Sequence, residues 1–208
     1  MEIDKNVYQE LKRQIVMLER KPGEVIREKD VMGLFDVSRT PVREALMRLE
    51  IDGLVRIIPN VGTFVEEITF QKLKDVFETR AHMVRLAGEL AAARISAEEI
   101  AEIRQLIDEM RAVKDDTKRL MHLDSEIHLI INRATRNTLL GKTLRNLLNQ
   151  ATRIWAYAGA SEDYWQDLVK EFEDIAMALE QHDGPTTARL LEEHTNRFAE
   201  HVRSQLTF

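Results

Sequence analysis

Phe35-Asp36-Val37-Ser38-Arg39-Thr40-Pro41-Val42-Arg43-Glu44-Ala45-Leu46-Met47-Arg48-Leu49-Glu50-Ile51-Asp52-Gly53-Leu54 reads as a turn followed by one amphipathic helix. Ser38 and Thr40 are candidate N-caps, since a hydroxyl can accept from the free N–H groups of a first turn. Pro41 suits the first helical position, where no N–H is required. Glu44 lies where it favours the positive end of the helix. Val42, Ala45, Leu46 and Leu49 recur at helical spacing and give one apolar face. Gly53 ends the helix in a left-handed conformation. Arg39 and Arg43 lie four apart, near the helix start and off the apolar face. Arginines and hydroxyls at the exposed start of a short capped helix suit an element that enters a DNA major groove; the plainer alternative is a solvated helix.

Working outward, residues 5–20 carry Val7, Tyr8, Leu11, Ile15 and Leu18 at three-to-four spacing, which predicts a first helix. Lys21-Pro22-Gly23 stops it. Glu28 to Phe35 predicts a short second helix. Downstream, Val55-Arg56-Ile57-Ile58-Pro59 and Gly62-Thr63-Phe64-Val65-Glu66 are β-rich runs, and Asn60-Val61-Gly62 supplies turn residues, so the pair reads as a hairpin. Three helices and a hairpin make a winged helix-turn-helix, with the wing tip at Asn60 and Gly62.

Beyond Ile68 only helical patterns occur. Helices are expected from Phe70 to about Arg94, with Thr69 as a possible cap, and from the capping box Ser96-Ala97-Glu98-Glu99 to about Val113. Further helices are expected from Asp115-Asp116-Thr117 to about Ala134, from Thr138 to about Ala158, and from Ser161 to about Gln181. A last one follows Asp183-Gly184-Pro185. Six helices over roughly 140 residues call for an antiparallel bundle. The expected fold is mostly α: a winged helix-turn-helix over 1–67, then an all-α bundle over 68–208.

Composition bounds the function. The 208 residues include 44% hydrophobic ones and no cysteine, so disulfides and thiolate metal sites are excluded. No apolar run approaches the roughly 20 residues that cross a bilayer, and the N-terminus lacks the order of a secretion signal. A soluble cytoplasmic protein is expected. Net charge is −6, and residues 1–67 alone carry 11 basic against 13 acidic residues. DNA affinity must therefore come from local placement of cations, doubled by dimerisation.

The strings Pro22-Gly23, Val37-Ser38-Arg39-Thr40-Pro41-Val42-Arg43-Glu44-Ala45-Leu46, Leu49-Glu50-Ile51-Asp52-Gly53-Leu54 and Pro59-Asn60-Val61-Gly62-Thr63-Phe64-Val65 resemble the GntR family of bacterial transcription regulators. With its helical second half, the chain is similar to the FadR-like branch, whose ligand domain is called FCD. The resemblance implies a homodimeric regulator, more often a repressor, on a palindromic operator. It implies DNA contacts from Lys29, Ser38, Arg39, Thr40, Arg43, Asn60 and Gly62. The arginines would read guanine edges, while the hydroxyls and Lys29 would meet phosphates.

Asp124 and His128 lie four apart on one predicted helix and so share a face. With His194 they make a carboxylate and two imidazoles, a donor set for a divalent ion; an ordinary hydrogen-bonded core pair is the alternative. Many FCD domains hold such an ion (Zn, Ni or Mn) with one aspartate and three histidines, and use it to bind a carboxylate effector. The remaining family histidine corresponds to Phe172, which cannot ligate. Arg80 matches a family arginine that faces the cavity, where it would bind an effector carboxylate; an ion pair with Glu78 or with a neighbouring helix is the competing role. Val84 replaces a usual glutamate. Arg133, Arg136, Asn137 and Arg153 are further polar candidates for the interior, with Asn137 and Arg153 carried as effector-binding residues. Trp155, Tyr157 and Trp165 read as core or dimer-interface residues. His122, His182 and His201 read as surface residues, and His82 could face the cavity. A metal-binding helical-bundle enzyme and a winged-helix protein-interaction module are the rival functions. No nucleophile–base constellation, phosphate loop or H-E-x-x-H string supports the enzyme.

Overall fold

The computed structural model describes residues 2–113, 116–159 and 162–206, with side chains for all of these except 2–5 and 162–166. The chain divides into two compact units, Met1–Thr69 and Phe70–Phe208.

Unit 1 contains α1 (Glu2–Val16), β1 (Val25–Ile26), α2 (Glu28–Phe35), α3 (Arg39–Ile51), β2 (Val55–Ile58) and β3 (Gly62–Val65). The apolar faces expected of α1 and α3 meet: Val7, Leu11 and Ile15 are buried with Val42, Ala45, Leu46 and Leu49. Val31, Leu54, Val55 and Val65 close this core from α2 and the hairpin. β2 and β3 pair antiparallel, with Val55 opposite Val65 and Ile58 opposite Gly62. This is a winged helix-turn-helix.

Four local details differ from the sequence reading. α1 ends at Val16 rather than near residue 20, because Leu18 takes a left-handed φ of 57°. β1 was not anticipated; it pairs with β3 and makes the sheet three-stranded, in the order β1-β3-β2. Ser38 holds the extended N-cap backbone of α3 but makes no side-chain cap bond, and Thr40 lies inside the helix. Pro41 is the third helical residue, not the first. It is tolerated because N–H groups throughout the first turn lack an intrahelical acceptor. At the other end of α3, Gly53 takes φ 69°, while Leu54 N–H donates to Leu49 and Gly53 N–H to Glu50. These are the two bonds of a Schellman stop.

Unit 2 is a helical bundle of α4 (Phe70–Ala92), α5 (Ala97–Ala112), α6 (Thr117–Ala134), α7 (Thr138–Ala158), α8 (Glu162–Glu180) and α9 (Gly184–Gln205). Its starts follow side-chain chemistry. Ser96 and Glu99 form a reciprocal capping box on α5. Asp116, Asn137 and Asp183 cap α6, α7 and α9 by accepting from Arg119, Leu140 and Thr186 N–H. The Asp115 and Ser161 expected at two helix starts lie outside the described residues, as does the side chain of Trp165.

α4 runs against α9, α7 and α6. The contact with α9 is close because Gly88 has no side chain: a Cβ there would stand 2.8 Å from the backbone of Ala188. Phe77, Trp155 and Phe198 cluster at ring separations of 5.2 and 5.3 Å. Among the described residues, no helix is long and apolar enough to cross a membrane.

Candidate nucleic-acid surface and buried polar site

The two units present two sites. In unit 1, Ser38, Arg39, Thr40 and Arg43 are all exposed at the start of α3, and Lys29 is exposed in the first turn of α2. Asn60, at φ 59°, and Gly62 form the hairpin turn. Val42, Ala45, Leu46 and Leu49 anchor the opposite face of α3, so the arginine face is held outward by core packing.

Glu28 links the two helices. Its Oε1 accepts from Arg43 Nε at 2.9 Å, and its Oε2 lies 3.4 Å from Arg39 Nε. Both guanidiniums are more than half exposed. Sequence reasoning assigned Glu28 no role; a carboxylate opening a helix reads only as a dipole partner.

In unit 2, Arg80 of α4, Asp124 and His128 of α6, and His194 of α9 converge in the interior. Arg80, His128 and His194 are each 3% exposed. Nε2 of His128 and Nε2 of His194 lie 3.1 Å apart. Asp124 Oδ1 stands 3.8 and 3.7 Å from those two nitrogens. Arg80 Nη2 reaches His128 Nε2 at 3.0 Å. The cavity lined by Arg80, Asp124, Leu148, Ala151, Thr152, Trp155, His194 and Phe198 has a volume of about 10 Å3, room for about one water.

Electrostatics follow from burial. Desolvation, with help from Arg80 and His194, pushes His128 well below the usual imidazole range, so it is neutral near pH 7. Desolvation also raises the Asp124 carboxyl, opposed by His194 and Arg80.

The donor set fits a divalent ion. Asp124, His128 and His194 each offer one ligand atom within 4.8 Å of the others. Tetrahedral zinc bound by nitrogens at about 2.1 Å separates neighbouring donors by roughly 3.4 Å, which the observed separations bracket. Glu171 of α8 accepts from His194 Nδ1 at 2.7 Å, an outer-shell carboxylate of the kind that fixes a ligating imidazole. His128 Nε2, 3.1 Å from His194 Nε2, accepts from Arg80 Nη2.

Phe172 is fully buried. Its ring lies 5.7 Å from that of His128 and 5.0 Å from that of His194, so the family histidine position is filled by an apolar ring against both imidazoles.

The other predicted residues are placed elsewhere. Asn137 does not reach the cavity: its Oδ1 caps α7, and it borders a surface groove with Arg133, Arg136, Lys142 and Arg145. Arg133 and Arg136 both pair with the buried Glu99 rather than facing the interior. Arg153 is buried but is not among the residues lining the cavity. Arg80 does not pair with Glu78, which meets Lys74 at 3.7 Å. His82 is exposed and contacts the Glu78 carbonyl, so it does not face the cavity. His122 and His182 are exposed, whereas His201 is half-buried. Trp155 is a core residue and Tyr157 is half exposed. Glu171 and its ion-pair partner Arg197 escaped the sequence reading. Their separation from one another and from Asp124 follows no helical period.

Comparison with known proteins accords with both units. Residues 3–65 match the model for bacterial regulatory proteins of the gntR family, and residues 75–197 match the FCD domain. The transcriptional repressor RspR of Escherichia coli K12 is 29% identical over 97% of this chain and 89% of its own length. The Nta operon transcriptional regulator of Aminobacter aminovorans is 34% identical over 61% of each chain. Among solved structures, E. coli McbR/YncC superposes with a TM-score of 0.87 at 20% identity, over 98% of both chains. A GntR regulator from Rhodococcus sp. RHA1 gives 0.82 at 22% identity over the full length of each. These relatives are transcriptional regulators, not enzymes. A winged helix with an arginine-bearing α3, followed by an FCD bundle, makes this chain a member of the FadR-like, FCD-bearing branch of the GntR family, a DNA-binding transcription regulator.

Proposed function

We propose that the chain is a ligand-responsive repressor of the bacterial cytoplasm, binding a palindromic operator as a homodimer and releasing it when a small organic acid enters unit 2. In this reading residues 1–67 bind DNA and residues 68–208 bind effector and dimerise. Two-fold symmetry gives each half-site one α3. Arg39 and Arg43 read base edges. Lys29, Ser38 and Thr40 hold phosphates, and the Asn60–Gly62 turn meets the backbone or minor groove.

The observation that carries the sensing half is the convergence of Arg80, Asp124 and His194 on one small cavity, with buried His128 3.1 Å from His194. Burying such groups costs stability unless something compensates for lost water. An anion would bind at Arg80, and a divalent ion at Asp124, His128 and His194. A bound ion would supply a Lewis-acidic point for a carboxylate. Arg80 then orients the carboxylate, Glu171 holds the His194 tautomer, and Phe198 and Trp155 exclude water. Coupling to DNA requires that effector bind the operator-free state more tightly than the operator-bound one.

The test is fluorescence anisotropy on a duplex selected from a random library by the wild-type protein, with and without ZnCl2 and a panel of small mono- and dicarboxylates. The expected duplex carries an inverted repeat bound by two chains, and one carboxylate weakens binding about tenfold, within the usual range of coupling. If no carboxylate changes duplex affinity or thermal midpoint, the sensing proposal fails.

A further inference from the structure

Arg39 and Arg43 both meet Glu28 through Nε, the inner nitrogen of the guanidinium. Only Nε of Arg43 donates to the carboxylate, at 2.9 Å; the Nη groups of both arginines make no hydrogen bond among the described residues. A guanidinium reads guanine bidentately, at O6 and N7, through two N–H groups of its fork. Glu28 therefore engages the inner nitrogen of each arginine and leaves the Nη1–Nη2 end of the fork without a hydrogen bond among the described residues. The carboxylate is itself held: it opens α2, where the positive helix end favours it, and its side chain is 32% exposed, against 64% and 58% for the two arginines.

We infer that Glu28 is a specificity-determining positioning residue, a clamp on α2 that aims the terminal nitrogens of Arg39 and Arg43 at base edges and lowers their attraction to phosphates. This rests on the proposed roles of the two arginines. Two unclamped arginines would carry a charge of +2 and rotate freely; with Glu28 the trio carries +1 in one geometry. Rotational freedom favours phosphates, which any sequence offers, while fixed geometry favours guanine. Glu28 thus trades affinity for discrimination. A purely stabilising surface ion pair makes a different prediction, because exposed pairs contribute little to folding and removing one leaves base preference untouched.

The experiment compares wild type, Glu28→Gln, Glu28→Ala, Arg43→Ala and the Glu28→Ala/Arg43→Ala double variant. The probes are the duplex selected by wild type, single-base-pair variants of its guanines, and a scrambled duplex, each across a salt series. Expected for Glu28→Ala are equal or tighter binding of the scrambled duplex, a salt slope steeper by about one, and a preference for the selected duplex reduced about tenfold, the loss of one well-placed bidentate contact. Glu28→Gln keeps an acceptor for Arg43 Nε but not the charge, and should fall between. In the double variant, Glu28→Ala should cost less guanine preference relative to Arg43→Ala than it costs relative to wild type, because only Arg39 is then left to release. If Glu28→Ala folds with an unchanged thermal midpoint and discriminates as wild type does, the clamp is overturned while the arginine reading stands. If Arg43→Ala also leaves guanine preference intact, the arginine reading fails and the clamp with it.

Discussion

Arg80 on α4 donates from Nη2 to Nε2 of His128 on α6 across 3.0 Å, so the lone pair that would bind a divalent ion is already engaged by a cation. Guanidinium and metal exclude each other at that nitrogen. Metal entry requires Arg80 to let go of His128, which frees its donors for an effector carboxylate. Arg80→Met keeps much of the side-chain length and removes the charge. It should raise Zn2+ affinity at least about tenfold, roughly 1.4 kcal/mol, while weakening carboxylate binding. Competition against a chromophoric chelator at fixed pH measures the first effect, and calorimetry with the carboxylate measures the second. Unchanged zinc affinity would show that the two cations do not compete.

Glu99 predicts an acid-labile elbow. Its carboxylate completes the α5 capping box and receives Arg136 and Arg133. Burial acts to raise its pKa, but the Ser96 N–H and the two arginines outweigh it and hold Glu99 below the usual carboxylate range. A depressed folded pKa means the unfolded chain binds more protons in that window, so stability rises with pH across it. The contribution is full above the ordinary glutamate value and is lost as pH falls through the folded one. Glu99→Gln should cost about 1–3 kcal/mol near neutrality and flatten the acid limb of stability against pH. Urea denaturation across an acidic pH series measures both; parallel wild-type and variant curves would refute the assignment.

Arg43 and Lys29 should separate in their effects on DNA. Arg43→Ala should cost about 1–3 kcal/mol on the selected duplex and relax preference at one base pair. Lys29→Ala should weaken all duplexes alike and lower the salt slope by about one. Neither residue packs in the core, so thermal midpoints should stay near wild type. A uniform loss for Arg43→Ala would mean that it contacts phosphate.

Much of the fold was legible because its signals are local. The Ser96–Glu99 box, the Asp183-Gly184-Pro185 restart and the Val42–Leu49 stripe each lie within one or two helical turns, and the helices follow them. β1 was not legible: two residues carry no period, and it exists only because β3 offers an edge. At the buried site, the spacing of Asp124 and His128 marked a shared face, and the resemblance to FCD domains added His194. Geometry then brings the three together. The orientation of Arg80 toward His128, 48 residues away, has no sequence signature, since it depends on how α4 and α6 pack. The hydrogen bond from His194 to Glu171 is equally nonlocal. Asn137 failed as an interior candidate for a local reason: its side chain is consumed in capping α7, a use common for asparagine before a helix.

Phe172 offers the sharpest test of the metal proposal, because it stands where the family pattern has a ligand. Its ring is in contact with both imidazoles and fully buried, so a side chain attached there already faces the donor set. Phe172→His replaces an apolar ring by a smaller polar one. Without metal, the variant should lose about 2–4 kcal/mol of stability, from lost packing and a buried nitrogen without a fixed partner. With Zn2+, the same nitrogen becomes a fourth donor, and three imidazoles with a carboxylate complete a closed tetrahedral set. Zinc affinity should rise by more than tenfold and zinc should restore the lost thermal stability, since ligand that binds only the folded state stabilises it by mass action. Wild type should show a smaller zinc-dependent shift, and Phe172→Leu should show the packing loss with no gain in zinc affinity. If Phe172→His binds zinc no better than Phe172→Leu, the imidazole does not reach the site formed by Asp124, His128 and His194. If zinc shifts neither wild type nor Phe172→His, those three residues are a hydrogen-bonded core and Arg80 alone is left to bind the effector.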